Sequence, residues 1–341
     1  MASVMRAVVP TVVAAALLTI GAGSALAKKP SPATCGQVIT HNFHLRNDLV
    51  DCPGPGLVIG RDHIRVDLGG HLVDGVNNPA ANGIDNTGGF DNVVVRHGTI
   101  QQFQQGVRLT DASGNRLANL MVQQTFRGIE VGSSDHTKIV HNRVDASFDG
   151  IHLVGSDTNR ISHNNVFGNT ASAIVLITGS DGNKVDHNKA HDNASWGITS
   201  DFSASNVYDH NRVYRNNIAG IEPFHGTNIR ITHNAVFRNR IGIELFTTTG
   251  SVLRGNKVRG SVMDGIHTFV ASTGNLLANN ASHRNGDDGI DVADAGNTIT
   301  RNHANRNVDL GIFAAAGNVD GHGNTAHHNG NAAQCVGVAC H

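Results

Sequence analysis

A glycine followed by Ile or Val recurs ten times in this sequence at a nearly constant spacing. Successive pairs lie 22 to 24 residues apart, and Ala173-Ile174 fills the one gap in the series. The glycines are Gly83, Gly106, Gly128, Gly150, Gly197, Gly220, Gly242, Gly265, Gly289 and Gly311. A fixed period of this length indicates a solenoid, in which each repeat is one coil that buries its apolar face by stacking on its neighbours.

Asparagines recur with the same period and mark turns between short strands. One series is Asn119, Asn142, Asn164, Asn188, Asn211, Asn234, Asn256, Asn279, Asn302 and Asn324. A second lies five residues further along in many coils, at Asn169, Asn193, Asn216, Asn239, Asn307 and Asn329. Asn tolerates left-handed backbone geometry, and stacked Asn amides hydrogen-bond from coil to coil. With short apolar-polar alternation between the turns, the sequence predicts an all-β, single-stranded parallel β-helix of about 11 to 13 coils with 22 to 24 residues each.

The chain resembles the right-handed parallel β-helix proteins, the pectate-lyase-like superfamily that includes NosD-like exported proteins. The repeats carry this resemblance from about Leu57 to Asn329. The segment before them resembles the first coil and cap of bacterial members, with Asp48-Leu49-Val50-Asp51-Cys52, Gly56-Leu57-Val58-Ile59 and Val66-Asp67-Leu68-Gly69-Gly70-His71. The resemblance implies a right-handed solenoid. It does not imply one activity, because the superfamily contains lyases, hydrolases, epimerases, adhesins and proteins of unknown role.

We expect four segments along the chain. Residues 1–27 have the features of a secretory signal peptide, because Arg6 precedes a largely apolar run and Ala25-Leu26-Ala27 fits a small-x-small cleavage site. Residues 28–56 would form an N-terminal cap, 57–330 the β-helix, and 331–341 a tail closed by a disulfide. No later segment has the roughly 20 apolar residues of a membrane span. The predicted product is therefore a secreted or extracytoplasmic monomer, released by cleavage near Ala27.

Four cysteines lie in two pairs near opposite ends of the chain. Export favours disulfides, and local pairing of Cys35 with Cys52 and of Cys335 with Cys340 would staple each end of the rod. A metal site is the alternative, but almost the whole chain separates the two pairs.

The charge balance narrows the possible partners. The 26 Lys and Arg residues nearly equal the 27 Asp and Glu residues, for a formal net charge of −1. The total charge therefore gives no reason to expect a nucleic-acid partner or an acidic membrane. No cofactor motif is evident, and a divalent cation is the one option that the residues leave open.

The residue after each Gly-Ile or Gly-Val pair defines a row of polar chemistry. If the Ile points inward, the next residue points outward. This row reads Arg108, Glu130, His152, Val175, Thr199, Glu222, Glu244, His267, Asp291 and Phe313. By resemblance, this is the strand face on which related enzymes hold extended polysaccharides. A merely solvated face would also be polar.

Glu222 and Glu244 suggest a glycosidase, and the histidines suggest a lyase or an epimerase. Glu222 and Glu244 occupy adjacent coils, so their carboxyls are expected about 5 Å apart, near the separation used by retaining glycosidases. Repulsion between them would raise one pKa. In a lyase or epimerase, His267 or His225 would instead remove the proton beside a uronate carboxylate. Asp291 completes the candidate catalytic set.

A row two residues further along adds candidate substrate-binding residues. It contains Asp201, Phe224, Phe246 and Phe269. Exposed Phe rings could stack on sugars, and the alternative is that they turn into the core at the strand end. Trp196, the single tryptophan, directly precedes Gly197 on the neighbouring coil.

An interruption of the inward pattern points to the same coils. Ser200 and Pro223 stand where Leu or Val is usual, and Pro removes a donor from a parallel sheet. Such departures cluster at functional or strained places, so the coils from Thr199 to Asp291 are the preferred site.

Short fragments similar to polygalacturonase motifs occur further along. Asp287-Asp288 and Gly321-His322-Gly323 are present, but Asn307-Val308-Asp309 lies between them and no R-x-K follows. We interpret Asp288-Gly289 as part of the coil pattern that also contains Asp149-Gly150 and Asp264-Gly265.

Histidines directly precede the turn Asn on five consecutive coils, at His141, His163, His187, His210 and His233. Stacked imidazoles could bind a transition metal, and the alternative is that His is tolerated at an exposed turn edge. Three functions therefore remain: a secreted protein acting on an extended polysaccharide as a lyase, hydrolase or epimerase, a non-catalytic surface or carbohydrate-binding rod, and a NosD-like metal-handling accessory protein.

Overall fold

Parallel strand pairing repeats with the period of the sequence. The structure is a computed structural model that describes residues 32–341, and this range is a right-handed parallel β-solenoid of about 13 turns without a helix. The predicted fold class is confirmed. The predicted signal peptide lies outside the described residues. Within 32–341, no helix long and apolar enough to cross a membrane is present.

Each coil contributes one strand to each of three parallel sheets. The first sheet carries the Gly-Ile pairs. Its separate strands are Gln37–Ile39, Leu57–Ile59, Arg127–Gly132, Asp149–Val154, Ile174–Ile177, Ile198–Asp201, Ala219–Phe224, Ile241–Phe246, Ile266–Phe269, Ile290–Val292, Ile312–Ala314 and Cys335–Val336.

The second sheet follows the first within each coil. Its strands are Phe43–His44, Arg65–Asp67, Lys138–Val140, Arg160–Ser162, Lys184–Asp186, Val207–Asp209, Arg230–Thr232, Val252–Arg254, Leu276–Ala278, Thr298–Thr300 and Val319–Asp320.

The third sheet lies beyond the Asn turn. Its strands are Leu49–Cys52, Arg143–Asp145, Asn165–Phe167, Lys189–His191, Arg212–Tyr214, Ala235–Phe237, Lys257–Arg259, Ala281–His283, His303–Asn305 and Thr325–His327. Three longer strands bend from one sheet into another: Leu72–Asn86, Val94–Thr110 and Arg116–Gln123.

The apolar core runs along the axis of the solenoid. Inward residues such as Ile129, Leu153 and Ile243 are fully buried on successive coils. The repeated glycines have a steric reason, because a Cβ at Gly128 would collide with the Val144 side chain and the backbone of the next coil. The Gly-Ile period therefore marks the corner where the third sheet meets the first.

Asparagine side chains link the coils at the turn between the second and third sheets. Each side-chain oxygen accepts hydrogen bonds from the backbone and the side-chain amide of the preceding Asn, at 2.8 to 3.2 Å. The ladder runs Asn142, Asn164, Asn188, Asn211, Asn234, Asn256, Asn280, Asn302 and Asn324. Placing Asn119 and Asn279 in it was wrong. Both have positive φ and occupy the position that precedes the ladder residue.

Both predicted disulfides are present. Cys35 is bonded to Cys52 and Cys335 to Cys340, and no cysteine among the described residues is free. Parallel pairing already begins inside the expected cap, where Gln37–Ile39 pairs with Leu57–Ile59. It also continues into the tail, where Cys335 pairs with Ile312.

The interruption at Ser200 has a packing explanation. Tyr208 points into the core from the second sheet, is fully buried and lies beside Ser200. Burial raises the pKa of Tyr208, so the hydroxyl remains protonated. Because the Tyr ring fills space that Leu or Val would take on other coils, the small Ser200 is not by itself a sign of function.

Candidate functional site

The register of the first sheet confirms the predicted polar row. Arg108 is paired with Glu130, Glu244 with His267, and His267 with Asp291. Glu222 and Glu244 lie on neighbouring coils between the aligned pairs Ile221–Ile243 and Phe224–Phe246.

Most of the row is covered, which differs from the exposed stripe that alternation predicts. Glu222 is only 3% exposed and Glu244 8% exposed. Exposure increases towards the C-terminal coils, where the side chains of His267 and Asp291 are 15% and 22% exposed. Contact with a bound molecule is therefore easiest at His267 and Asp291.

Trp196 covers the buried end of the row. Its indole Nε1 donates a hydrogen bond to Glu222 Oε2 at 2.5 Å, and its ring meets Phe224 edge-on with centroids 5.7 Å apart. Sequence reasoning noted Trp196 without assigning it a role. Its position directly before Gly197, on the coil next to Glu222, was the available signal.

The three phenylalanines form one row beside the acids. Phe224 and Phe246 have centroids 5.4 Å apart, and Phe246 and Phe269 are 5.7 Å apart. They do not turn into the core: Phe224 and Phe246 are partly exposed, and Phe269 is 45% exposed. The aromatic edge therefore opens at the coil where the acids also become accessible.

Four of the candidate residues form one chain of contacts. The carboxyls of Glu222 and Glu244 are within hydrogen-bonding range of each other. Glu244 Oε1 lies 3.1 Å from His267 Nδ1, and His267 Nε2 lies 3.5 Å from Asp291 Oδ2. Because Glu222 and Glu244 are covered and face each other, neither offers a sugar an open carboxyl.

Burial and repulsion between like charges raise the pKa of two of these carboxyls, Glu222 and Asp291. Burial and then the Glu244 charge raise the pKa of Glu222 to about 8, despite the Trp196 hydrogen bond. Burial also raises the pKa of Asp291 to about 6, although the His267 charge opposes this. Burial would lower the pKa of His267, but Glu244, Asp291 and Asp264 together raise it.

Two further acids complete the cluster. Asp264 accepts the backbone N–H of Asp288 at 3.0 Å, and Asp288 accepts that of Leu310 at 2.7 Å. Burial raises the pKa of Asp264 and raises that of Asp288 to about 7. We interpreted both as features of the coil. They do brace successive coils, but they also face the site, and the recurring Asp before Gly was the signal.

The cluster is acidic and could hold a cation. Asp264, His267 and Asp291 each offer a ligand atom within 4.8 Å of the others, and Asp287, Asp288 and Asp309 form a similar group. Carboxylate oxygens are ligands that Ca²⁺ prefers. Among the described residues, His267 is the only basic side chain in an ion pair with Glu244 or Asp291.

His225 and Asp201 lie apart from this chain of contacts. His225 Nδ1 is 2.8 Å from Asp201 Oδ1, and the His225 ring stacks on Phe202 at 4.3 Å. The structure therefore joins Glu222, Glu244, His267 and Asp291, while His225 and Asp201 form a separate surface pair.

A second polar cluster lies nearer the N-terminus of the same row. Arg127 Nη1 donates to Glu130 Oε1 at 2.9 Å, beside His152 and Asp149. Burial and then the Arg127 charge lower the pKa of His152 to about 4. This cluster contains an arginine, whereas the basic side chain paired with the acidic cluster is His267.

The histidine row stacks face to face. Neighbouring rings from His141 to His233 have centroids 4.9 to 5.2 Å apart, and all five residues have positive φ. In all but His141, Nδ1 contacts a side chain of the second sheet, as between His187 and Asp186 at 3.1 Å. Because the nitrogens of stacked rings point in parallel directions, the row does not converge on one ion, although Asp209, His210 and His233 offer three close ligand atoms.

The chain belongs to the right-handed β-helix family, whose model, described as a right handed beta helix region, matches residues 40–190, 127–273 and 241–340. A search of the curated proteins returned no match.

Solved structures share the fold at low sequence identity. The A-module of the mannuronan C-5 epimerase AlgE6 of Azotobacter vinelandii aligns with a TM-score of 0.61 and 14% identity over 91% of this chain and 87% of that chain. The Dettilon tailspike protein aligns with a TM-score of 0.58 and 15% identity over 86% of this chain and 60% of the tailspike chain. The catalytic unit of an alpha-1,3-glucanase from Streptomyces thermodiastaticus gives 0.56 and 12%, over 86% of this chain and 63% of that chain.

Proposed function

We propose that this protein is a glycoside hydrolase that binds an extended polysaccharide along the first sheet and cleaves it beside Asp291. The observation that carries the proposal is the continuous chain from Glu222 through Glu244 and His267 to Asp291. Along it, the pKa values of the carboxyls are spread, and exposure rises to a maximum at Asp291. Acids whose environments separate their pKa values are what general acid and base catalysis requires.

Asp291 is the proposed general acid. Burial keeps it protonated up to about pH 6, so it can donate a proton to the glycosidic oxygen. Asp287 is the proposed base, because it is exposed and close enough for its charge to raise the pKa of Asp291. Glu222 and Glu244 are positioning residues, since they are covered and in mutual contact. This assignment replaces the pairing of Glu222 with Glu244 as a glycosidase dyad.

The charge of the cluster favours a substrate whose sugar is neutral at the cleavage position. A uronate carboxylate beside Glu244, Asp264, Asp288 and Asp291 would be repelled unless a cation lay between them. Phe269 offers a partly exposed ring at this coil, and sugar rings stack on such faces. The structural neighbours include a glucanase and an epimerase, and such proteins act on long glycans.

A cation-dependent lyase or epimerase is the second candidate. The ligand atoms of Asp264, His267 and Asp291 favour it, because a divalent cation there would neutralise a uronate carboxylate. A non-catalytic carbohydrate-binding rod remains the outcome if neither activity is found. The stacked histidines do not converge on one ion, so the metal-handling alternative rests on Asp209, His210 and His233 alone. The two disulfides support an extracytoplasmic location.

The test is a product assay on neutral and uronate polysaccharides, with and without EDTA. Hydrolysis yields reducing ends without the ultraviolet absorbance of an unsaturated product, and EDTA leaves its rate unchanged. Such absorbance, abolished by EDTA, would identify the lyase. Epimerisation would change the uronate composition without chain cleavage. D291N should abolish the activity that is found. Substrate binding without any of these changes would contradict the proposed hydrolase activity.

A further inference from the structure

The third sheet carries a row of cations that the proposed function does not use. Six exposed residues on the strands and the adjoining turn form what we call the basic strip: Arg212, Arg238, Lys257, Arg259, Arg284 and Arg306. They belong to five consecutive coils, so the strip runs along the axis of the solenoid. It is on a different sheet from the acidic cluster.

The positive charges of the strip are not neutralised by ion pairs among the described residues. Among the described residues, none of its six cations takes part in an ion pair, whereas Arg143, Arg160 and Arg215 pair with Asp145, Asp186 and Asp192. Like charges on neighbouring strands are destabilising. In a chain with a net charge of −1, this concentration of positive charge on one face costs stability and calls for an anionic partner.

The surface of the strip alternates between long and short side chains. Along the strand row, Arg212, Ala235, Lys257, Ala281 and His303 alternate long and short side chains. Ala235 and Lys257 of this row line one of three adjoining depressions, and Arg259 lines all three. Because coils are about 4.8 Å apart, Arg212 and Lys257 of this row lie roughly 10 Å apart.

That spacing suits a polymer whose charges recur on one side. In a 1,4-linked glycan that is extended with twofold screw symmetry, successive sugars are turned over, so the carboxylates on one side recur at every second residue. Guanidinium groups match carboxylate and sulfate geometry with paired hydrogen bonds. His283 fits an already positive surface, because burial and then the nearby His303, Arg284 and Arg306 lower its pKa.

The aromatic residues of this sheet disfavour a nucleic-acid strand. Phe167, His191, Tyr214 and Phe237 stack on one another at 4.6 to 5.0 Å with nearly parallel planes. The outer face of Phe237 lies beneath Arg259. The ring faces are therefore occupied, and single-stranded nucleic acids bind chiefly by stacking bases on free faces.

We propose that the basic strip is a second, non-catalytic binding site for an acidic polysaccharide, which lies along the third sheet with its carboxylates or sulfates on these cations. The site is independent of the acidic cluster. It would hold the protein on an anionic glycan while the first sheet remains free.

The experiment measures binding of the full mature chain to polygalacturonate, a sulfated dextran, neutral dextran and single-stranded DNA by calorimetry at low and high salt. We expect binding to polygalacturonate or sulfated dextran that weakens with salt, and none to neutral dextran. Comparing the two anionic glycans distinguishes carboxylate from sulfate recognition.

The triple variant R238Q/R259Q/R284Q should bind the preferred glycan about tenfold more weakly. The matched control R143Q/R160Q/R215Q removes the same charge from paired arginines, and its affinity should stay within about twofold of the wild type.

Three outcomes would refute the proposed binding site: equal losses of affinity in both triple variants, tighter binding to DNA, or no binding to either anionic glycan. D291N should bind normally, so failure of the hydrolase would not affect this result. Thermal unfolding of each variant checks its fold.

Discussion

The tetrapeptide Asp-Gly-Ile-His occurs twice, at 149–152 and 264–267, in equivalent positions of the first sheet. The local structure is the same in both copies: Asp149 accepts the N–H of Ser172 at 3.1 Å, and Asp264 accepts that of Asp288 at 3.0 Å. Yet the pKa of His152 is lowered to about 4, while the pKa of His267 is raised. Identical sequence has produced opposite chemistry.

The neighbouring coils account for the difference. His152 is more deeply buried than His267 and lies beside Arg127, which also donates a hydrogen bond to Glu130. His267 lies between Glu244 and Asp291, and no arginine within residues 32–341 is paired to either. In a solenoid, a motif on one coil therefore acquires its chemistry from the residues about 4.8 Å above and below it.

The largest expected effect separates the two clusters by activity. D291N should lower kcat by about 10²- to 10⁴-fold, because Asn cannot donate the proton that the general acid supplies. Steady-state assays on the substrate found by the product screen check this. E130Q, in the same row of the other cluster, should change kcat less than about twofold. Equal losses would contradict a functional division between the clusters.

The next prediction distinguishes the two clusters by their contributions to stability. R127M should lower the free energy of unfolding by about 2 kcal/mol, because it leaves the covered Glu130 carboxylate without its charged donor. Urea unfolding measures this change. R143M, which breaks an exposed ion pair, should cost less than about 1 kcal/mol. If R127M were as mild as R143M, the N-terminal cluster would not be the structural one.

The pH dependence of stability should identify Glu222. Its pKa is raised from 4.5 to about 8 on folding, so the folded state keeps a proton that the unfolded state has lost. This contribution is fully present below pH 4.5 and disappears as the pH rises towards about 8. E222Q should therefore lose less stability than the wild type between pH 5 and pH 8 in urea unfolding. Parallel curves for the two proteins would refute the shifted pKa.

The smallest effect concerns the alkaline limb of the activity profile. Activity should fall as the pH rises through about 6, where Asp291 loses its proton. The His267 charge lowers the pKa of Asp291, so H267N should move this limb to higher pH. H152N should leave the limb in place. Profiles of kcat against pH decide between these outcomes, whatever rate each variant retains.

The sequence was sufficient for the solenoid and for its register. Periodic Gly-Ile pairs identify the corner of each coil, and they align Glu244 with His267 without any structural information. The Asn ladder was less certain at Asn279 and Asn280, because two adjacent asparagines fit a period that varies from 22 to 24 residues. The hydrogen bonds of the folded chain select Asn280.

Burial of the site could not be predicted from the repeat. Alternation indicates which side of a strand a residue takes, but Glu222 is covered by Trp196, which has no equivalent on other coils. Asp264 and Asp288 were overlooked for the opposite reason: they repeat, and repetition suggested a structural role alone. The basic strip was hidden by a net charge of −1, which conceals segregation between two sheets.

The most direct test is an NMR titration of His152 and His267, assigned with H152N and H267N. We predict that His267 titrates above the ordinary value of 6.5 and that His152 titrates near 4. That result would show that neighbouring coils give one tetrapeptide two chemistries. Similar pKa values for the two histidines, or the reverse order, would contradict the account.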